Sequence, residues 1–126
     1  MLMPCEVVIK EFLPAMRANI TKILASKHNF TQAEIASQLG LTQAAVSKYL
    51  SGDYSNEVKV IEKVTEIKNM AEMVVKKIAV EKASKLHIVN SVCKSCQSFF
   101  GDKWHCEISN LAEELLKARG ELIGNV

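Results

Sequence analysis

The chain has 126 residues, 48% apolar and 24% charged, which is room for one domain, or a small domain with an attachment, of ordinary soluble composition. No apolar run approaches the ~18 residues of a membrane span, and the start MLMPCEVVIKEF lacks the basic region and long apolar block of an export signal, so a cytoplasmic location is expected. The net charge of +2 is evenly spread, five Lys/Arg against four acids in residues 1–56 and eleven against ten in the rest, so charge by itself neither indicates nor excludes nucleic acid.

Apolar periodicity predicts helices and essentially no strands. Pro4 suits a first helical position, with Val7, Val8, Glu11 and Phe12 following in a short helix. Pro14 ends or kinks it and opens another, which carries Met16, Ile20, Ile23 and Leu24 at helical spacing. After the break at Lys27–Phe30, Thr31 and Glu34 form a capping box for the next helix. Gly40 closes that helix by taking a positive φ. Thr42 caps a second short helix running to about Leu50, and Ser51-Gly52-Asp53 ends it. From Asn56 to Leu86 there is no Gly or Pro, and a single long helix is expected. In it Val60, Val64, Ile67, Ala71, Val74 and Ile78 form a heptad seam, which buries itself on a partner helix or on its own chain. Pairing of two copies through residues 58–80 is the preferred reading. A last helix starts near Cys106, with Ile108, Leu111, Ala112, Leu115 and Leu116 on one face, and stops at Gly120. The expected fold is all-α and dimeric: residues 1–56 as a helix-turn-helix domain, and residues 57–126 as a long helix and a cysteine-bearing helical segment.

Within FTQAEIASQLGLTQAAVSKYLSG, Phe30 to Gly52, the pattern is that of two short helices locked across a tight turn. Counting from Gln32, a small residue stands at the helix crossing (Ala36), glycine at the turn (Gly40), and apolar locks at Ile35, Leu39, Leu41, Val46 and Tyr49. A generic helical hairpin has no reason to keep all of these in register. The stretch TQAEIASQLGLTQAAVSKYLSG resembles the lambda-repressor/Cro (XRE-type) helix-turn-helix family over roughly residues 14–56. The resemblance implies a four- or five-helix DNA-binding domain of a transcriptional regulator, usually dimeric. PCEVVIKEFLPAMRANITKIL, followed later by a cysteine group, is also similar to a set of short predicted regulators common in archaea.

With Thr42 as cap, the second helix of the motif turns Gln43, Ala44, Ser47 and Lys48 to solvent. Gln suits a bidentate pair with adenine and Ala a thymine methyl, while Ser47 and Lys48 suit a base or a phosphate. Thr31 and Gln32, opening the preceding helix, are placed for the phosphate backbone of double-stranded DNA with help from the helix N-terminus. Lys48 is the one cation of the recognition helix, so further phosphate attraction is expected from Lys27, Lys59 and Arg17, and two heads on a dimer compensate a weak single head.

The cysteines are Cys5, Cys93, Cys96 and Cys106. Cytosolic thiols stay reduced, so three of them within CKSCQSFFGDKWHC favour metal or redox chemistry over disulfides. Cys93, Cys96 and Cys106 are three thiolates where a closed tetrahedral site needs four. The fourth ligand is open among Cys5, His105 and His87; His105 adjoins Cys106 and would be strained, and Cys5 requires the first helix to dock against the C-terminal part. An iron–sulfur cluster whose state sets the grip on DNA is preferred, with zinc or a Cys93–Cys96 thiol switch as alternatives, and buried small hydrophobes as the plainest reading. Phe99, Phe100 and Trp104 are expected to shield the site, and His28 to be merely exposed. An enzyme is not expected, since there is no Gly-rich phosphate loop, paired helical carboxylates or H-E-x-x-H. An antitoxin-type module whose long helix binds a toxin is the remaining alternative.

Overall fold

Pro14 shapes the entry to the fold. It has no N–H to return to the preceding turn, and Val8–Phe12 just before it winds as a π-helix, the wider i→i+5 turn. This turn runs directly into α1 (Leu13–Lys27), with Pro14 in its first turn. The computed structural model describes residue 6 and residues 8–100, the last four by backbone alone, and all regular structure among them is helical. After α1 come α2 (Gln32–Leu39), α3 (Gln43–Ser51), α4 (Asn56–Glu62), α5 (Thr65–Ala79) and α6 (Lys85–Phe100). The expected helix after Cys106 lies outside the described residues.

Asn29 ends α1 in the left-handed region, φ 56°, where Asn is tolerated, and the Phe30 N–H reaches back to the Leu24 carbonyl at 3.1 Å. α1 is the axis of the molecule. It buries Ala15, Met16, Ala18, Asn19, Ile20, Thr21 and Leu24, nearly every side of a helix, because α2, α3, α4 and α5 all pack around it. α6 packs on α5. One apolar cluster joins Met16, Leu24, Ile35, Val46, Ile67 and Val74 and extends to Ile88 and Cys96. The core therefore runs straight across the expected boundary at residue 56.

The single long helix expected from Asn56 to Leu86 is instead three elements. Val58 and Ile67, nine residues apart, fall half a turn out of phase on a helix of 3.6 residues per turn. Both are buried, at 3% and 0% exposure. The chain achieves this by breaking at Lys63–Val64, where Val64 takes extended angles (φ −65°, ψ 130°). A second break follows α5: Lys82 adopts φ 51°, and the Ala83 N–H bonds the Lys77 carbonyl at 2.8 Å. Ser84 then caps α6 by accepting the His87 N–H at 3.2 Å.

The heptad seam is divided by these breaks. Ile67, Ala71, Val74 and Ile78 are buried in the chain's own core, whereas Val60 and Val64 are 68% and 38% exposed. A continuous dimer seam through residues 58–80 is therefore corrected. Four of its six positions serve intrachain packing, the other occupant that a 4-3 spacing allows.

Candidate nucleic-acid interface

The site is built from local capping. Thr31 Oγ1 accepts the Glu34 N–H at 3.1 Å, and the Glu34 carboxylate accepts the Thr31 N–H at 3.0 Å, closing the expected capping box. The bonds to the Thr31 backbone and then to its side chain hold the Glu34 carboxyl below its ordinary pKa. α2 ends at Gly40, φ 67°, with the Leu41 N–H on the Ala36 carbonyl at 2.9 Å. A Cβ at Gly40 would meet nothing within 4 Å, so the backbone angle and not space demands glycine there. Thr42 Oγ1 accepts the Ala45 N–H at 3.1 Å and starts α3, and Gly52 stops it at φ 81°.

These caps fix the phase of both helices. Ile35 and Val46 are fully buried where α2 and α3 meet α1, Ala36 is 7% exposed at the crossing, and Leu39, Leu41 and Tyr49 are half-buried around them. All five expected locks and the small crossing residue are where the pattern puts them. Gln43, Ala44, Ser47 and Lys48 occupy the i, i+1, i+4, i+5 positions of α3, one face, and all are exposed. Thr31, Gln32 and Thr42 are exposed as well. In their caps the Thr31 and Thr42 hydroxyl oxygens act as acceptors, so each O–H proton is still available to an outside acceptor.

A second set of residues braces α3 from below, and the sequence reading did not anticipate it. Tyr49 of α3 packs on Tyr54, with ring centroids 5.9 Å apart and tilted by 55°. The Tyr54 hydroxyl donates to Glu62, and Lys22 Nζ reaches the Tyr54 hydroxyl at 2.6 Å and Glu62 Oε2 at 2.5 Å. Asn19, buried on α1, donates through Nδ2 to the Glu62 carbonyl at 3.0 Å. Burial, then the bond to Glu62, raises the Tyr54 pKa. For Lys22 burial pulls the pKa down, but the bonds to Glu62 and Tyr54 outweigh it and the net shift is upward. The network ties α1, the α3–α4 loop and the end of α4 into one support.

Two of the expected auxiliary cations have intrachain partners. Lys27 pairs with Glu72 at 3.5 Å, and Lys59 lies over the Tyr54 ring at 5.7 Å. Arg17 is half-buried on α1.

Residues 20–67, from the middle of α1 to the first turn of α5, match the family described as Helix-turn-helix. The chain carries a helix-turn-helix domain of the lambda-repressor/Cro type. No curated protein and no solved structure matches the chain. The helix-turn-helix domain is a DNA-binding unit of transcription regulators, and α3 is its second helix, the one that enters the groove in this motif. No helix among the described residues is long and apolar enough to cross a membrane.

Of the expected metal ligands, Cys93 and Cys96 lie one turn apart on α6, Cys93 half-buried and Cys96 9% exposed at the edge of the core. The C-x-x-C is thus helical. Cys5, Cys106, His105 and Trp104 lie outside the described residues. Among the described residues no three His, Cys, Asp or Glu side chains come together as a metal-ligand group. His87, the other candidate fourth ligand, faces Lys77 at 3.4 Å.

Proposed function

We propose that the protein is a dimeric, cytoplasmic, sequence-specific transcription regulator that reads double-stranded DNA with the outer face of α3. The observation that carries this reading is one polar face on a helix whose opposite face is locked. Gln43, Ala44, Ser47 and Lys48 are exposed together, above fully buried Val46 and Ile35. Gln43 is assigned to a base edge, with adenine as its best bidentate partner, and Ala44 to a thymine methyl. Ser47 and Lys48 follow along the groove. Thr42, Thr31 and Gln32 are assigned to phosphates. Glu34 already fills the anion position at the N-terminus of α2, whereas the first turn of α3 holds no acid. Helix-dipole assistance to a phosphate is therefore assigned to α3.

Dimerisation is kept in the reading, through the two seam positions that stay exposed and a neighbouring apolar residue instead of the whole seam. Ile9 on the π-turn, Val60 on α4 and Val64 beyond it are exposed apolar side chains, and the π-turn packs on α4. That patch is the proposed contact between two heads. Control of DNA binding is assigned to the cysteines, with Cys93 and Cys96 joined by Cys106 and Cys5 as ligands of an iron–sulfur cluster, or of zinc. The support is two thiols on adjacent turns of α6 at the margin of an apolar core.

The test of the DNA reading is binding of the intact protein to its own promoter fragment. Gln43→Ala is expected to cost roughly 1–3 kcal/mol on the specific site and little on random DNA. Lys48→Ala is expected to weaken binding and lower the salt slope. If both variants bind as the parent does, α3 is not the reading helix. Anaerobic purification with assay of iron, sulfide and zinc, beside Cys93→Ser, tests the control element separately.

A further inference from the structure

A cleft of about 480 Å³ opens between α5 and α6, and no residue of α3 is among those lining it. Its volume lies within the range of small-molecule sites. The side contributed by α5 is apolar at Met70, Met73 and Val74, and Met73 is 63% exposed although it is a large apolar residue. Its polar side carries Lys77, His87 and Lys94, and none of the described residues lining it is acidic. Lys77 Nζ donates to His87 Nε2 at 3.4 Å, which leaves Lys77 two further N–H groups and His87 its Nδ1–H for a guest. Ser91 and Ser95 also line the cleft, but their hydroxyls donate back to the His87 and Ser91 carbonyls at 3.0 and 2.9 Å. The donors left for a guest are therefore those of Lys77, His87 and Lys94, with the Asn90 amide beside them.

We propose that this cleft binds a small amphiphilic organic anion, with its phosphate or carboxylate head on Lys77, His87 and Lys94 and its apolar body on Met70, Met73 and Val74. Two lysines and an imidazole, with no carboxylate among the described lining residues, supply charge-assisted hydrogen bonds to an anion. The methionines supply an adaptable apolar wall that tolerates variation in the guest's shape. Neither half accounts for the other: a bare anion needs no thioether wall, and a neutral hydrocarbon needs no cations. Binding here stands apart from the reading of α3 and is measured without DNA.

The test uses the full chain and octyl phosphate below its micellar concentration, followed by calorimetry and by the methyl resonances of the five methionines. Octyl phosphate is expected to bind and to move the Met70 and Met73 methyls, while buried Met16 in the core stays in place. 1-Octanol and inorganic phosphate are each expected to bind at least about tenfold more weakly, as is octyl phosphate with the Lys77→Ala/Lys94→Ala double variant. An unshifted Met16 resonance in that variant shows that its fold is intact. Vesicles carrying a phosphate headgroup are expected not to sediment the protein, since the guest is a soluble one. The proposal is overturned if octyl phosphate gives no heat and no methionine shift at millimolar concentration. It is equally overturned if the double variant or inorganic phosphate binds as tightly, or if the vesicles capture the protein while octyl phosphate does not.

Discussion

Replacing Glu62 by Gln keeps the shape of the side chain and removes its charge, which makes it a direct probe of the support beneath α3. The Glu62 side chain is 11% exposed and accepts from both Tyr54 and Lys22. Hydrogen bonds to a charged group contribute about 1.5–3 kcal/mol and neutral ones about 0.5–1.5 kcal/mol, so two bonds lose on the order of 1 kcal/mol each. The amide adds a mismatch: if its oxygen serves Tyr54, its NH2 meets the Lys22 ammonium, donor against donor. Against this, the Lys22 side chain is 41% exposed and water compensates part of its loss. The expected cost is therefore about 2 kcal/mol. Equilibrium urea unfolding of the full chain reads it as a midpoint lowered by roughly 1 M, for a slope of about 1–3 kcal/mol/M. A cycle with Tyr54→Phe is expected to show coupling above about 0.5 kcal/mol, since the two side chains share a bond. A Glu62→Gln protein within about 0.5 kcal/mol of the parent, with no coupling to Tyr54, would refute the network as a support.

The same network sets the alkaline limit of stability. Tyr54 and Lys22 both titrate above their ordinary values when folded, so the unfolded chain gives up its protons first as pH rises. Their contribution is complete below pH about 10 and lost above it, and Tyr54→Phe is expected to flatten the decline in melting temperature across pH 9–11. Ile35→Ala opens a cavity at the fully buried junction of α2 and is expected to cost about 2–5 kcal/mol by urea unfolding. Thr21 is fully buried on α1 and its Oγ1 has no hydrogen-bond partner among the described residues, so Thr21→Val, nearly the same shape, is expected to raise stability by about 1 kcal/mol. A destabilised Thr21→Val protein would mean that the hydroxyl is satisfied.

What the sequence made legible is what short-range chemistry decides. Thr31 with Glu34, Gly40, Thr42 and Gly52 each act within a few residues, and so the limits and phase of α2 and α3 were readable, along with the exposed face that Gln43 and Lys48 share. The breaks after α4 and α5 were not. Neither contains Gly or Pro; Val64 is extended because Val58 and Ile67 must both reach the core, and Lys82 takes a left-handed conformation that glycine usually marks. The seam from Val60 to Ile78 misled for a related reason, since a 4-3 spacing describes a buried face without naming what covers it. Lys22, Tyr54 and Glu62 meet across separations of up to forty residues, and no local pattern announces such a meeting.

The most direct measurement of the central claim is a comparison of the DNA sequences selected from a random duplex pool by the parent protein and by Gln43→Ala. The account predicts that the parent enriches a defined half-site, and that the variant loses preference at one position, an adenine in the parent's site, while keeping the rest. Identical enriched sites from both proteins, or no enrichment by the parent at low salt, would contradict it.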